Sequence, residues 1–169
     1  ALEEEAPPTF PEYEAGLDTI VKELDPNTAD SEVHRFFFGD HYRDAYTQKM
    51  AFPVLDLATY KNGLVPVKRG GGSQTNSLRL QASNGQEYTM RSILKDPRRL
   101  VPSSFNRTFI KDIIADQFYA SHPFGAFVVP PMAKAAGIYH TNPGYFYVPA
   151  QPRLANYNPA YAENVYLVE

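Results

Sequence analysis

The sequence predicts an α+β domain in which a small antiparallel sheet carries a glycine-rich loop and one long amphipathic helix packs on the sheet. Three observations support this fold class. Segments between Leu64 and Leu94 alternate apolar and polar residues with the period of two that is typical of strands. Three consecutive glycines, Gly70–Gly72, interrupt the alternation. Between Phe105 and Phe118 the apolar residues recur at spacings of three and four, which is the helical pattern.

The length and composition suit one globular domain. The chain has 169 residues, of which 43% are hydrophobic and 14% aromatic, and this is enough apolar material for a core. A run of about 18 apolar residues, as a transmembrane helix requires, is missing from the sequence. The sequence contains no cysteine, which excludes thiol catalysis, cysteine-ligated zinc and disulfides.

The first 30 residues differ in composition from the rest. They hold nine acidic residues and one base, Lys22, and the start is rich in proline and lacks the basic, apolar leader of a signal peptide. We therefore expect residues 1–30 to be a linker or tail of a longer or processed protein, with at most one helical turn over Leu17–Leu24. Residues 31–169 are predicted to form one α+β domain or lobe that is truncated at its C-terminal end, where the sequence lacks an ending signal.

The elements of the predicted domain begin with a short helix. Asp30 and Ser31 favour an N-cap, and Gly39 ends the helix. An aromatic-rich stretch, residues 36–46, follows and predicts core packing. Three strands are then expected at Leu64–Val67, Ser77–Ala82 and Gln86–Leu94.

The loop between the last two of these strands decides which residues face each other. A two-residue loop would mix polar and apolar side chains on one side of the sheet. A three-residue loop that ends with Gly85 in the left-handed conformation pairs Leu80 with Tyr88 and Leu78 with Met90. The three-residue loop is predicted because it places four apolar side chains on one face.

The same register places two cations on the opposite face, toward the glycines. Arg91 falls beside Ser77, and Lys95 falls beside Ser73.

The remaining elements are an amphipathic helix over about 106–120, a second helix from Pro131 to Gly137, a strand over 145–149 and a last strand from 164 to 169.

Several classes of function are disfavoured by the residues. The four histidines have no metal-binding spacing, and no G-x-S-x-G motif is present. Residues 68–111 hold nine bases against two acids, which predicts an anion-facing surface or a solvated basic face that docks on the acidic segment. Nucleic acid is not the predicted partner, because the aromatic residues among these bases fall on predicted core faces.

The glycine segment is the strongest local indication of a ligand site. Glycines let the backbone approach an anion closely, and the hydroxyls that follow them can donate hydrogen bonds. The segment is not a Walker A loop, and it does not match G-x-G-x-x-G-x-V. However, the order strand, glycine loop, strand, hairpin, strand with a cation, helix and strand is that of the N-terminal lobe of protein kinases. The candidate ligand-binding residues are Gly70, Gly71, Gly72, Ser73, Thr75, Ser77, Arg91, Lys95 and Asp116.

In that kinase lobe, a lysine on the third strand holds the nucleotide phosphates and pairs with a helix carboxylate. Here Lys95 or Arg91 is the candidate cation, and Asp112 or Asp116 is the candidate carboxylate. We expect Lys95 to lie nearest the glycine loop and Asp116 to approach one of the two cations. The alternative is that Lys95 points to solvent at the entrance of a loop.

A resemblance adds to these expectations. Four sequence strings carry it, namely G-G-G-S-Q-T-N-S-L-R-L at residues 70–80, Y-T-M-R-S-I-L-K-D-P at 88–97, D-Q-F-Y-A-S-H-P at 116–123 and A-G-I-Y-H at 136–140. They resemble a segment of large Gram-negative envelope proteins that join a calcineurin-like metallophosphoesterase domain to an outer-membrane β-barrel of the surface-antigen type. The resemblance covers roughly residue 36 to the C-terminus. It implies a location in the periplasm or at the outer-membrane periphery.

Two functions are expected from these observations. The first is a phosphate- or nucleotide-binding lobe of a kinase-like module within a larger envelope protein, which is not catalytic alone. The alternative is a noncatalytic interaction module that packs on a barrel or on other envelope proteins. The many tyrosines, phenylalanines and prolines and an open terminal strand from Asn164 support the alternative. The partners implied are the remainder of a parent chain or other envelope proteins, and the sequence specifies no cofactor.

Overall fold

The computed structural model describes residues 18–25, 35–36, 39–71, 75–94 and 117–169. Within these ranges the chain is an α+β fold with two antiparallel sheets and few helices. The strands are β1 Thr19–Lys22, β2 Met50–Pro53, β3 Leu64–Gly71, β4 Asn76–Ala82, β5 Glu87–Ser92, β6 Gly144–Val148 and β7 Asn164–Val168. The α-helices are α1 Arg43–Thr47, α2 Val129–Ala135 and α3 Asn158–Tyr161. The large sheet has the order β3-β4-β5-β7-β6, and β1 pairs with β2 in the small sheet.

The β4–β5 hairpin has the predicted register. Leu80 pairs with Tyr88 and Leu78 pairs with Met90. The backbone N–H of Ala82 donates to the carbonyl of Gln86 at 2.9 Å, which closes a loop of three residues. Gly85 in this loop has a φ of +86°, a left-handed conformation that glycine adopts without steric cost. The prediction from alternation and turn chemistry is confirmed.

One face of the large sheet forms the main core. Leu64, Leu78, Leu80 and Met90 project from it and are fully buried. Residues from two connections pack against them, namely Leu55, Leu57, Leu154 and Tyr161. Each fully buried leucine stabilises the fold by roughly 1.5–3 kcal/mol relative to an exposed one.

A buried amide joins the two connections that cover this core. The Gln151 side chain accepts a hydrogen bond from the N–H of Leu57 at 2.8 Å and donates to the carbonyl of Leu55 at 2.9 Å. Asn158 in turn donates to the carbonyl of Gln151 at 2.9 Å. The backbone groups of these irregular segments are therefore satisfied without a strand ladder.

The opposite face of the large sheet is covered at the β6–β7 end by the small sheet. Tyr145, Tyr147 and Val165 project from this face and form a second buried cluster with Phe52 of β2 and Tyr46 of α1. Tyr46 is 4% exposed, so this part of the aromatic stretch 36–46 packs in the core as predicted. Tyr42 and Phe36 of the same stretch are exposed.

The helical turn predicted over 17–24 is wrong. Thr19–Lys22 is strand β1, which pairs with β2 through partners such as Ile20 and Phe52. Three β-branched residues in a row, Thr19 to Val21, favour a strand, and pairing with β2 outweighs the weak helical pattern. Residues 1–17 and 26–34 lie outside the described residues, and so does the predicted N-cap at Asp30 and Ser31.

The predicted helices have different outcomes. Of the long helix over 106–120, the structure describes only the last part, where Gln117 and Phe118 are helical. Helix α2 begins two residues before the predicted start at Pro131, with prolines in its first turn, and Gly137 follows it with a φ of +67°. None of the helices within the described ranges is long and apolar enough to cross a membrane.

Strand β7 is not the open strand that the sequence predicts. It lies inside the large sheet, paired on one side with β5 and on the other with β6. Of the two edge strands, β3 carries Pro66 and a register shift at Val67, two features that oppose the addition of another strand. The edge of β6 is bridged at Tyr147 by Val54. Docking of a partner on a free terminal strand is therefore contradicted.

Candidate functional site

The structure places five of the nine predicted ligand-binding residues. Gly70 and Gly71 end β3, Thr75 directly precedes β4, Ser77 is the second residue of β4, and Arg91 lies near the end of β5. Outside the described residues are Gly72, Ser73, Lys95 and Asp116. The expected approach of the lysine to the glycine loop and the ion pair with the helix aspartate therefore stay predictions.

Gly70, Ser77 and Arg91 form one row across three neighbouring strands. Gly70 pairs with Ser77, and Ser77 pairs with Arg91. Directly paired residues of antiparallel strands project from the same face, so the side chains of Ser77 and Arg91 point to the same side. The prediction that Arg91 lies beside Ser77 is confirmed.

The close packing of this row explains why position 70 is a glycine. A Cβ atom built on Gly70 would overlap the Ser77 Oγ. The backbone here has a negative φ, so left-handed conformation is not the reason for the glycine. The lack of a side chain at Gly70 therefore allows β3 and β4 to lie close together. From the sequence, we expected this glycine to allow the close approach of an anion.

A second row of polar residues lies beside the first on the same face. Lys68 pairs with Arg79, and Arg79 pairs with Thr89. Arg79 is two residues from Ser77 along β4, and Thr89 is two residues from Arg91 along β5. Residues two apart on a strand project from the same face, so the second row shares the face of the first. We call Lys68, Arg79 and Arg91 the basic face. Residues paired diagonally across strands have Cα atoms about 7–8 Å apart, so one phosphate-sized anion can contact more than one of these cations.

Two carboxylates accompany the three cations. Arg91 Nη2 lies 2.9 Å from Glu169 Oε1, and Arg79 Nη1 lies 3.7 Å from Glu87 Oε2. The side chains of Arg91 and Glu169 are 52% and 25% exposed. Ion pairs with this exposure contribute only about 0–1 kcal/mol. A dissolved anion can therefore compete for the arginines at low energetic cost.

An apolar groove of about 640 Å³ lies beside the basic face. Helix α2 forms one wall and residues 138–143 form the other. The lining is mostly aliphatic and includes Val129, Met132, Ala133, Ala136, Ile138 and Pro143. Met132 and Ile138 are 66% and 62% exposed, which is high for large apolar side chains.

Glu169 belongs to both the basic face and the groove. Its Oε1 contacts Arg91, and its Oε2 accepts a hydrogen bond from Thr141 Oγ1 at 3.4 Å. His140 and Thr141 lie in the same lining. The groove therefore has charged and polar groups where it meets the sheet.

Sequence reasoning missed three residues of this arrangement: Lys68, Arg79 and Glu169. The first two belong to the base-rich run 68–111, but the face of Lys68 depends on the register shift at Val67. Contact of Glu169 with Arg91 depends on the pairing of β5 with β7. Long-range pairing of this kind leaves no signal in the local sequence.

A second charged cluster holds β1 on the large sheet. The Tyr147 hydroxyl donates to Glu163 Oε2, and the Ala150 N–H donates to Glu163 Oε1 at 2.9 Å. Lys22 Nζ donates to the carbonyl of Glu163 at 2.8 Å and lies over the Tyr147 ring. Hydrogen bonding from Tyr147 lowers the pKa of Glu163, with further lowering by the Ala150 N–H and the Lys22 charge. Burial raises the pKa of Tyr147 above its ordinary value, which suits a hydroxyl that keeps its proton to donate it.

No group of three histidine, aspartate or glutamate side chains in the described part of the chain could hold a metal ion. Comparisons with protein-family models, with curated proteins and with solved structures each returned no match.

Proposed function

We propose that this chain is the phosphate-binding lobe of a kinase-like module within a larger cell-envelope protein. The observation that carries the proposal is the row of Gly70, Ser77 and Arg91, which joins the glycine end of β3 to a cation on the third strand of the sheet. The envelope location is part of the proposal and rests on the resemblance of the sequence strings.

The position of Arg91 in the large sheet supports this proposal. Numbered along the chain from β3, the five strands lie in the order 1-2-3-5-4, and the described glycines Gly70 and Gly71 end the first of them. In protein kinases a glycine-rich loop covers the nucleotide phosphates, and the lysine that holds them is on the third strand. Arg91 is on the third strand here.

The chemistry proposed is binding without catalysis. Phosphoryl transfer needs a metal-binding aspartate and a substrate-orienting aspartate from a second lobe. Within the described residues, the carboxylate at Arg91 comes from Glu169, which follows β7, and not from a helix. Glu169 contacts the guanidinium through Nη2, and a guanidinium has five N–H donors, so Arg91 has further donors for a phosphate oxygen.

Titration calorimetry of the chain with inorganic pyrophosphate and with magnesium nucleotides tests the proposal. We expect binding that weakens with added salt and weakens at least tenfold in the Arg91→Ala variant, because charge-assisted hydrogen bonds are the strong ones. Lys134→Ala, which removes an exposed cation on α2, is the matched control. Absence of binding heat, or equal affinities of the Arg91→Ala and Lys134→Ala variants, would contradict a phosphate site on the basic face.

Exposed apolar residues on α2 and in the segment after it favour a second candidate, the interaction module. Val129, Met132 and Ile138 are each more than half exposed, and Tyr139 is 99% exposed. Apolar side chains gathered in this way are typical of surfaces that contact another protein. The partner proposed is the remainder of the parent chain.

Hydrogen exchange distinguishes this candidate. If the parent chain packs on α2, the amides of Met132 and Ala133 exchange more slowly in the full parent protein than in this chain alone. The hairpin loop at Asn84 serves as the internal control, since it should exchange alike in both. Equal exchange rates at α2 would contradict an interface there.

A further inference from the structure

The basic face and the apolar groove are neighbours on the same side of the large sheet. Leu167 and Glu169 alternate with Val168 along the chain, and Leu167 pairs with Arg91, so the Glu169 side chain projects from the face that carries Arg91. The same Glu169 lines the groove. A ligand with a phosphate at Arg91 can therefore extend past Glu169 into the groove.

We infer that the ligand is a phosphate monoester with an aliphatic chain, whose phosphate lies on the basic face and whose chain lies in the groove. This inference rests on the proposed phosphate-binding function and names the ligand class. It assigns the groove beside α2 as the second half of one binding site.

The distribution of polarity along the groove supports this ligand class. Polar side chains meet at one end, where His140, Thr141 and Glu169 lie, and the walls formed by Ala133 and Ile138 are aliphatic. His140 Nδ1 lies 3.0 Å from the carbonyl of Ile138, so this ring nitrogen has a partner within the chain. The aliphatic walls suit a hydrocarbon chain better than a heterocyclic base, which needs hydrogen-bonding partners along its edge.

The size of the groove is also suitable. Small-molecule pockets have volumes of about 300–1,000 Å³ and are lined mainly by apolar side chains, with a few polar groups that fix the orientation. The groove of about 640 Å³ lies within this range. At its polar end Glu169 lies 2.9 Å from Arg91, so Arg91 is the cation of the basic face that contacts the groove lining.

Calorimetric titration of the chain with butyl, hexyl and octyl phosphate, each below its micelle concentration, tests the inference. Affinity is expected to increase about three- to fourfold for each added methylene that enters the groove. The Ala133→Phe variant fills the groove and should remove most of this gain while leaving the affinity for inorganic phosphate unchanged. Lys134→Phe adds the same ring to α2 at a position outside the groove lining, and it should keep the gain.

Circular dichroism of each variant checks that the fold is kept. If Ala133→Phe unfolds, Ile138→Asp takes its place, because Ile138 is 62% exposed and lines the same groove.

The outcomes separate the inference from the proposed function. Phosphate binding without any dependence on chain length, or equal gains in Ala133→Phe and Lys134→Phe, overturns the inference and leaves the phosphate site. The inference also fails if adenosine monophosphate binds more tightly than octyl phosphate and is weakened by Ala133→Phe, because the groove then takes a base. If octanol binds as well as octyl phosphate, or if no phosphate binds, both the inference and the proposed function are overturned.

Discussion

The guanidinium of Arg91 on β5 lies 2.9 Å from the carboxylate of Glu169, which directly follows β7. The two residues are brought together by the pairing of Met90 with Val168 in the middle of the large sheet. The contact therefore joins a cation in the row of Gly70 and Ser77 to a carboxylate at the end of the apolar groove.

Replacing Glu169 with glutamine should strengthen anion binding. The variant removes a negative charge beside the bound phosphate, and we expect about three- to tenfold tighter binding of pyrophosphate, which corresponds to about 1 kcal/mol for a partly exposed charge. The free energy of unfolding should change by less than about 0.5 kcal/mol. Glu23→Gln, a carboxylate after β1, is the control in both calorimetry and denaturation. Weaker binding by Glu169→Gln would show that the carboxylate positions Arg91 and does not compete for it.

Gly70→Ala should destabilise the sheet because the new methyl group overlaps the Ser77 Oγ. Overpacking of this kind typically costs about 1–3 kcal/mol. Denaturant unfolding measures the change, and Gly125→Ala is the control, since nothing lies near the site of its new Cβ. Adding Ser77→Gly should restore part of the loss. If Gly70→Ala is as stable as the original chain, the close approach of these two strands is not the reason for the glycine.

Gln151→Leu should destabilise the core strongly. The leucine has a similar volume but leaves the N–H of Leu57 and the carbonyl of Leu55 without their buried partner. Each unsatisfied group costs about 1–3 kcal/mol, so we expect a loss of about 2–5 kcal/mol in the free energy of unfolding. Gln86→Leu, at an exposed position before β5, should have little effect. A small loss in Gln151→Leu would mean that the two connections hold their places without the amide.

The contact of Glu163 with Tyr147 should make stability depend on pH in the acid range. The pKa of Glu163 is lowered in the fold from its ordinary value of 4.5, so its contribution is present above pH 4.5 and is lost as the pH falls through the lowered pKa. The difference in thermal midpoint between the original chain and Glu163→Gln should be largest near pH 6. It should shrink below pH 4.5, where a protonated glutamate resembles glutamine. A difference that stays constant from pH 6 to pH 3 would contradict this assignment, and Glu87→Gln on the exposed side of β5 is the control.

Features that depend on neighbouring residues could be predicted from the sequence, and features that depend on distant pairing could not. The register of Leu78 with Met90 followed from alternation and from the glycine of the loop, since both are local. The position of β7 was predicted wrongly because strand order depends on which hydrophobic faces meet, and several orders satisfy the same alternation. The basic face was found only in part, because the shift at Val67 exchanges the sides to which the following residues of β3 point.

The central position of β7 has a consequence for how the chain folds. β3, β4 and β5 are joined by short connections, so this meander can form from contacts that are near in sequence. The outer edge of β5 can pair only after residues near position 168 have been synthesised, because it pairs with β7 and not with a strand that precedes β5 in the sequence. During synthesis on the ribosome, the meander would expose the outer edge of β5 until β7, which also pairs with β6, is available to pair with it. β7 is therefore the strand that closes the sheet, and the rate of that long-range step sets how long the edge of β5 is open to wrong partners.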